Sequence, residues 1–414
     1  MNHIGVYLSN AASKDEIIEQ IFENKYFNNY FDLSGLTGEL YSSAAINRFI
    51  DEEIRHDKFV IHTDSNSSLL SMSSGQQRKA LLTHIISKKP HYIVLDDVYS
   101  SVDRDTQQFI LEQLLLIKDS TILIQLFYRK HDVLDFIQTV FSIGNDNQLN
   151  QVQSLPQFNI SGNSPYRFHQ ISLPHLFAET NLNIHPLVQL NAVSANYGEK
   201  PVLKDINWEI QAGEFWQLRG PIGSGKSTLL SMITGDNAKG YGVDMVLFGR
   251  KKGTGETIWD IKKQIGYFTP TMVQRFFHRD SVENMIISGL VDSIGLYVKP
   301  TDLQRHIAEA WLQILGPTFK NKSFHSLSFG QQRILLVVRA MVKRPPLLIL
   351  DEPTVGLDDE NTELFLNMIT AIAELRKIAI IYVSHRTEPE LKPEKIFELI
   401  PGEDGSTGIV VLPD

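Results

Sequence analysis

The segment Gly220-Pro221-Ile222-Gly223-Ser224-Gly225-Lys226-Ser227 sets three glycines, a lysine and two hydroxyls within eight residues. Glycines so placed let successive backbone N–H groups converge on anionic oxygens, and a helix opening beside them adds the positive end of its dipole. In that arrangement Lys226 reaches terminal phosphates, and the Ser227 hydroxyl, followed by Thr228, is placed to bind Mg²⁺. A carboxylate must complete such an ion's shell. Asp351 closes the apolar run Leu347-Leu-Ile-Leu350 and would hold Mg²⁺ directly or through water. Glu352 beside it is the candidate general base that orients an attacking water. His385, ending Ile380-Ile-Tyr-Val-Ser-His385, is the candidate contact to the γ-phosphate and that water.

These residues need a layered α/β scaffold to meet. Phe215-Trp-Gln-Leu-Arg219 reads as a strand running into the glycine loop, with a helix following from Ser227 through Ile233. Leu347–Leu350 and Ile378–Val383 are short and continuously apolar, as strands buried on both faces of a parallel sheet are. Leu187-Val-Gln-Leu-Asn-Ala-Val193 and Ile206-Asn-Trp-Glu-Ile210 alternate, as half-buried strands do. The expected class is an α/β, P-loop nucleotide-binding fold.

Part of this pattern occurs twice. Ser74-Gly-Gln-Gln-Arg78 repeats as Phe329-Gly-Gln-Gln-Arg333 at an offset of 255 residues, and the same offset carries Asp96 onto Asp351 and Asp103 onto Asp358. The glycine loop has no copy at that offset, because only 71 residues precede Met72 while 101 separate Lys226 from Leu327. Gly5-Val-Tyr-Leu-Ser-Asn-Ala-Ala-Ser-Lys14-Asp-Glu could be an eroded remnant, although an unrelated strand, turn and helix would read the same way. In a remnant, Ala11, Ala12 and Ser13 would crowd an anion nest and Asp15 would repel phosphate. Asp97 stands where Glu352 does, and Ile122–Phe127 ends in no Ser-His, so hydrolysis is not expected in the first half. We expect two tandem modules: a degenerate one over 1–144, truncated and without its phosphate loop, a connector over 145–187, and a complete one over 188–414. Twelve of the forty-three connector residues are Asn or Gln and only three are charged, which suits an irregular segment.

Composition limits the alternatives. No cysteine is present, so disulfides and cysteine-ligated metal are excluded. A net charge of −9 gives no global positive field for nucleic acid. No run approaches the ~18 apolar residues that span a bilayer. A cytoplasmic protein is expected, with a peripheral place at the inner membrane left open through a partner.

In order along the chain, the phosphate loop, Leu327-Ser-Phe-Gly-Gln331, Leu348-Ile-Leu-Asp-Glu-Pro353, Gly356-Leu-Asp358 and Ser384-His385 resemble the nucleotide-binding domains of ATP-binding cassette (ABC) ATPases. The resemblance is strong over about 187–400 and partial over 60–130. More narrowly, Gly255–Tyr267, Asp292–Tyr297 and Phe324–Arg333 resemble the soluble tandem-cassette type called ModF or PhrA. The resemblance implies binding of ATP with Mg²⁺, hydrolysis, and Tyr197 stacking on adenine. It also implies head-to-tail pairing of two cassettes, each phosphate loop facing the other's signature. Within one chain the loop would face Ser73, Ser74, Gly75 and Gln76. In a homodimer it would face Ser328, Gly330 and Gln331 of a second copy. Phe329 puts bulk where the family has a glycine, and Pro270 stands where it has a glutamine that helps ligate Mg²⁺ and meets a membrane permease. Three readings stay open: an ATPase with one hybrid site, an ATP-dependent binding switch with little turnover, and the energising subunit of a molybdate-type importer. A ribosome-acting tandem protein would carry a long charged connector, which 145–187 is not.

Overall fold

Strand β3, Tyr92–Asp96, is buried at every position, and its side chains divide between two apolar layers: Tyr92 and Val94 in one, Ile93 and Leu95 in the other. Alternate residues of a strand point to opposite faces, so a strand apolar throughout belongs at the centre of a sheet covered on both sides. In this computed structural model that sheet has the order β2-β3-β4-β1-β5-β6, with β1 Ile4–Tyr7, β2 Gly38–Tyr41, β4 Ile122–Phe127, β5 Thr139–Ile143 and β6 Leu149–Val152. All neighbours are parallel except β5 and β6. Helices α1 (Lys14–Phe22), α2 (Ser43–His56), α3 (Ser74–Ser87) and α4 (Arg104–Ile117) supply apolar cover, with Ile17 and Ile21 of α1 in one layer and Leu81, Leu82 and Ile85 of α3 in the other.

The structure describes all residues except 1, 10–11, 26, 28–31, 57–59, 62–67, 100–101, 103, 144–148, 153–183, 277–279, 385–387, 389–390 and 414. The chain divides into two compact units, Met1–Ser161 with Gly356–Asp359, and Gly162–Val355 with Glu360–Asp414. Among the described residues no helix is long and apolar enough to cross a membrane.

The second unit has two sheets. An antiparallel one has the order β11-β10-β7-β8, formed by β7 Val188–Tyr197, β8 Lys200–Ile210, β10 Met245–Leu247 and β11 Arg250–Lys251. The other runs β12-β13-β14-β9-β15-β16, formed by β9 Phe215–Arg219, β12 Ile265–Phe268, β13 Leu347–Asp351, β14 Ala379–Val383, β15 Lys395–Ile400 and β16 Thr407–Val411. Helix α5, Lys226–Ile233, leaves β9 through the glycine loop and buries Leu229, Leu230, Met232 and Ile233 against both sheets. Trp208 of β8 stacks on Phe397 of β15 with centroids 4.4 Å apart and planes 10° from parallel, which locks the sheets together beside the loop. Helices α6 (Ile258–Lys262), α7 (Val282–Leu290), α8 (Asp302–Leu315), α9 (Phe329–Met341) and α10 (Asp359–Glu374) follow in the chain. Helices α7 to α9 open on Ser281, Thr301 and Ser328, whose side chains accept the N–H of residues 284, 304 and 331 as N-caps do.

The six-stranded sheets of the two units share one strand order. In each, the first strand of the unit's α/β core inserts between two later ones: β1 between β4 and β5, β9 between β14 and β15.

Candidate nucleotide site

The glycine loop meets its strand and helix as the sequence requires. Gly225 is the N-cap of α5 with φ 91°, and a Cβ there would lie 2.7 Å from Leu203 Cδ2 and 3.0 Å from Val202 Cγ1, so β8 presses on the turn. Gly220 has φ 148°, and a Cβ would come within 2.9 Å of Leu399 O. A left-handed backbone in so tight a space admits only glycine. No side chain caps α5, so its first N–H groups have no capping oxygen. The Ser224 hydroxyl, 1% exposed, has no protein partner. Uncapped helix donors beside an orphaned buried hydroxyl fit an anion of several oxygens, such as a polyphosphate. Lys226 Nζ donates to Gly220 O at 2.7 Å and Pro221 O at 2.9 Å, holding its charge over the loop.

Three charged groups answer one another here. Burial lowers the Lys226 ammonium below the usual lysine range, and the Glu352 and Asp351 carboxylates oppose that shift. Burial raises the Asp351 carboxyl, and the Lys226 charge opposes it. Glu352 has φ 46°, a left-handed backbone uncommon for its residue type, held by its N–H donating to Val383 O at 2.9 Å. The Ser227 hydroxyl and Asp351 carboxylate form a hard-oxygen donor pair that fits Mg²⁺, which takes few protein ligands and completes its shell from phosphate and water. Ile222, Gly223 and Thr228 complete the loop and the first turn of α5.

Tyr197 ends β7 and is 48% exposed. Its hydroxyl accepts from Asn237 Nδ2 at 2.7 Å, and that same nitrogen donates to Ser231 Oγ of α5 at 3.0 Å. An exposed ring fixed to the phosphate-loop helix is suited to stacking on a base. Sequence alone does not single out Asn237, since a single asparagine after a helix carries no pattern of its own.

Both signature segments open helices with a reciprocal capping box. Ser73 accepts from the Gln76 N–H while the Gln76 side chain accepts from Ser73, and Ser328 pairs with Gln331 in the same way. Gly75 and Gly330 are buried. A Cβ on Gly75 would stand 2.8 Å from Thr106 Oγ1 of α4, so a side chain there would have to displace that hydroxyl, and helix packing alone favours glycine. Phe329, 41% exposed, lies over the Arg333 guanidinium at 4.3 Å.

The first unit carries corresponding parts in altered form. Six residues separate Tyr7 from Lys14, as six separate Arg219 from Lys226, and each lysine opens the helix that follows. Lys14 Nζ donates to Asp96 Oδ2 at 2.9 Å. Asp96 is 4% exposed, and burial raises its carboxyl against the opposing Lys14 charge. Asp97 has φ 50°, matching Glu352. Asp96 is in register with Leu126 and Asp351 with Val383, so Phe127 and Tyr128 take the places of Ser384 and His385. Burial raises the Tyr128 hydroxyl, and the Asp96, Asp97 and Asp15 carboxylates raise it further.

The second unit thus brings together the loop, Asp351, Glu352 and, through Asn237, Tyr197. Its own signature, Ser328 to Gln331, opens a separate helix, and Ser73 to Gln76 belong to the first unit. His385, Asp103, Ala11 and most of 145–187 lie outside the described residues. A 420 Å³ cleft lined by Trp208, Trp216, Glu214 and Lys395 shares no residue with the loop, and its lysine is already bonded to Glu214.

A family model described as ABC transporter matches residues 203–355. The ABC transporter ATP-binding protein ModF of Escherichia coli (strain K12) is 36% identical over 332 residues, covering 77% of this chain and 67% of that protein. An uncharacterized ABC transporter ATP-binding protein of Schizosaccharomyces pombe is 30% identical over 328 residues, covering 77% of this chain and 66% of its own. The chain therefore spans about two thirds of the length of each. Among solved structures, cbiO1 from Clostridium perfringens, described as part of the ABC transporter complex cbiONQ, matches with 25% identity and a TM-score of 0.47, over 54% of this chain and 87% of that one.

Proposed function

The chain belongs to the ATP-binding cassette family of ATPases, and from that premise we propose that it hydrolyses Mg-ATP at a single site per chain, with the second unit's phosphate loop closed by the signature of the first. Lys226 and the uncapped N-terminus of α5 hold the phosphates, and Ser227 and Asp351 would hold Mg²⁺, which would supply positive charge beside the transferring phosphoryl group. Glu352 orients the attacking water and His385 contacts the γ-phosphate. Tyr197 stacks on adenine. Ser73 to Gln76 present the dipole end of α3 to the nucleotide from the other side, while Ser328, Gly330 and Gln331 form the idle signature.

The observation that carries this reading is the contrast at the paired aspartates. Asp351 stands among groups suited to a metal and phosphates, whereas Asp96 is bonded to the chain's own Lys14. We therefore read the first unit as a degenerate cassette that lends a signature and takes no nucleotide.

The two signatures are separated by a charge on the exposed residue of each. Ser74→Glu should reduce ATP hydrolysis at least ~100-fold by repelling the γ-phosphate during closure, while Phe329→Glu should change it less than about 3-fold. Activity per chain should not depend on protein concentration. A dead Phe329→Glu variant together with specific activity rising with concentration would assign the site to a homodimer of second units instead.

A further inference from the structure

The turn that presents Glu352 is tied at its far end by a pair of residues to which the hydrolytic reading gives no role. Thr354, fully buried, donates its hydroxyl to Glu388 Oε1 at 2.8 Å and lies 3.5 Å from the Tyr382 hydroxyl of β14. At the near end, Glu352 N–H is held by Val383 O, and Pro353 O accepts from Arg333 Nη1 at 3.5 Å. Three successive residues, the first a left-handed glutamate, are thus fixed from three sides: β14, α9 and Glu388 after β14. A glutamate held at φ 46° persists only where its surroundings over-determine it.

The first unit offers an internal comparison. Its Asp97 has the same left-handed backbone, but Tyr99 stands at the position of Thr354, and burial pushes that phenol up to about 12, with the Asp135 and Asp132 carboxylates adding to the shift. A half-buried phenol there replaces the short hydroxyl that makes the tie. The threonine–glutamate tie therefore accompanies the candidate base and is not a general requirement of this turn.

We propose that Glu388 is a positioning residue for ATP hydrolysis: through Thr354 it fixes the turn that aims the Glu352 carboxylate at the attacking water. Glu388 touches neither nucleotide nor metal in this account. It acts by holding an acceptor oxygen where the Thr354 hydroxyl donates, so an amide can replace it and a methyl cannot. This rests on the single-site ATPase reading above.

The test uses the full chain with Glu388→Ala, Glu388→Gln and Thr354→Val. Glu388→Ala and Thr354→Val should lower kcat about 10-fold, the scale of sub-ångström misplacement of a catalytic group, with KM for ATP and the unfolding midpoint nearly unchanged. Glu388→Gln should stay within about 2-fold of the parent. Hydrogen exchange of the peptide spanning Leu350–Val355 should quicken in the alanine and valine variants and not in the glutamine variant. The proposal is overturned if Glu388→Ala leaves kcat unchanged, if glutamine fails as badly as alanine, or if kcat falls only in step with stability. Should the parent itself show no turnover while exchange quickens as described, the tie stands and the hydrolytic reading is what fails.

Discussion

Replacing Lys14 by methionine tests whether the first unit carries its own cation in place of a nucleotide's metal. Lys14 is the partner seen for Asp96 Oδ2, and Asp96 is 4% exposed, so the substitution leaves a buried carboxylate without its ammonium. Breaking a fully buried pair from one side costs about 3–5 kcal/mol. The Lys14 side chain keeps 36% exposure, so water screens part of the interaction, and we expect about 2 kcal/mol instead. For a unit of this size that is a fall of about 4–8 °C in its melting temperature. The loss has a pH signature. Burial raises the Asp96 carboxyl, so its folded pKa lies above the unfolded value. The stability belonging to the neutral carboxyl is present below the unfolded pKa and is lost as pH rises through the folded one. Lys14 limits that loss, so the deficit of Lys14→Met should be small at acid pH and grow as pH rises through the folded pKa of Asp96, which lies above the ordinary carboxylate value. Asp96→Asn should largely rescue it, because the amide needs no counter-charge. Thermal unfolding of the full chain as a function of pH, with the double variant Lys14→Met/Asp96→Asn alongside, reads all three effects. A deficit independent of pH, or a double variant as unstable as Lys14→Met, would refute the ion-pair reasoning.

Two further outcomes bear on the second unit. Lys226→Ala should abolish ATP binding without unfolding the chain, and isothermal titration of the parent should find one nucleotide per chain; a second tight site would contradict a first unit that takes none. Glu352→Gln should bind ATP yet turn it over at least ~100-fold more slowly, whereas Asp97→Asn should leave turnover nearly unchanged, and equal losses from both would remove the assignment of the base to one unit.

What the sequence made legible was whatever is encoded locally. The strand, glycine loop and helix around Gly220–Ser227 are contiguous, and β7, β8, β9, β13 and β14 fall where alternating or continuous apolar runs place strands. The signature helices begin at serines with glutamine three residues on, a pattern that specifies a capping box by itself. Lys14 was harder, because the loop before it has no glycine. The sequence leaves an eroded loop and an unrelated strand, turn and helix equally open there, and the correspondence with Lys226 is supported by the insertion of β1 between β4 and β5, strands more than a hundred residues away in sequence. The Thr354–Glu388 and Tyr197–Asn237 bonds are likewise products of folding, since none of the four residues sits in a spacing that predicts its partner.

The two units share some features for reasons of folding and differ in others for reasons of ligand, and the structure allows these to be sorted. Asp96 and Asp351 both end buried central strands, and Asp97 and Glu352 both take left-handed backbone, so that turn geometry does not depend on the glycine loop. Gly75 packs closely against Thr106 of α4, and Ser73 and Gln76 satisfy the end of α3 between themselves, so the presence of these three in the first unit does not by itself argue for nucleotide contact. Ser74 is different. It is exposed and takes no part in the capping box, and its counterpart Phe329 lays its ring against the Arg333 guanidinium. Both positions are exposed, so a charge introduced at either one leaves the core untouched and reads the approach of a ligand. Under the single-site proposal the working signature is that of the first unit, and the pair Ser74→Glu and Phe329→Glu is the sharpest division between a single-chain clamp and a dimer of second units.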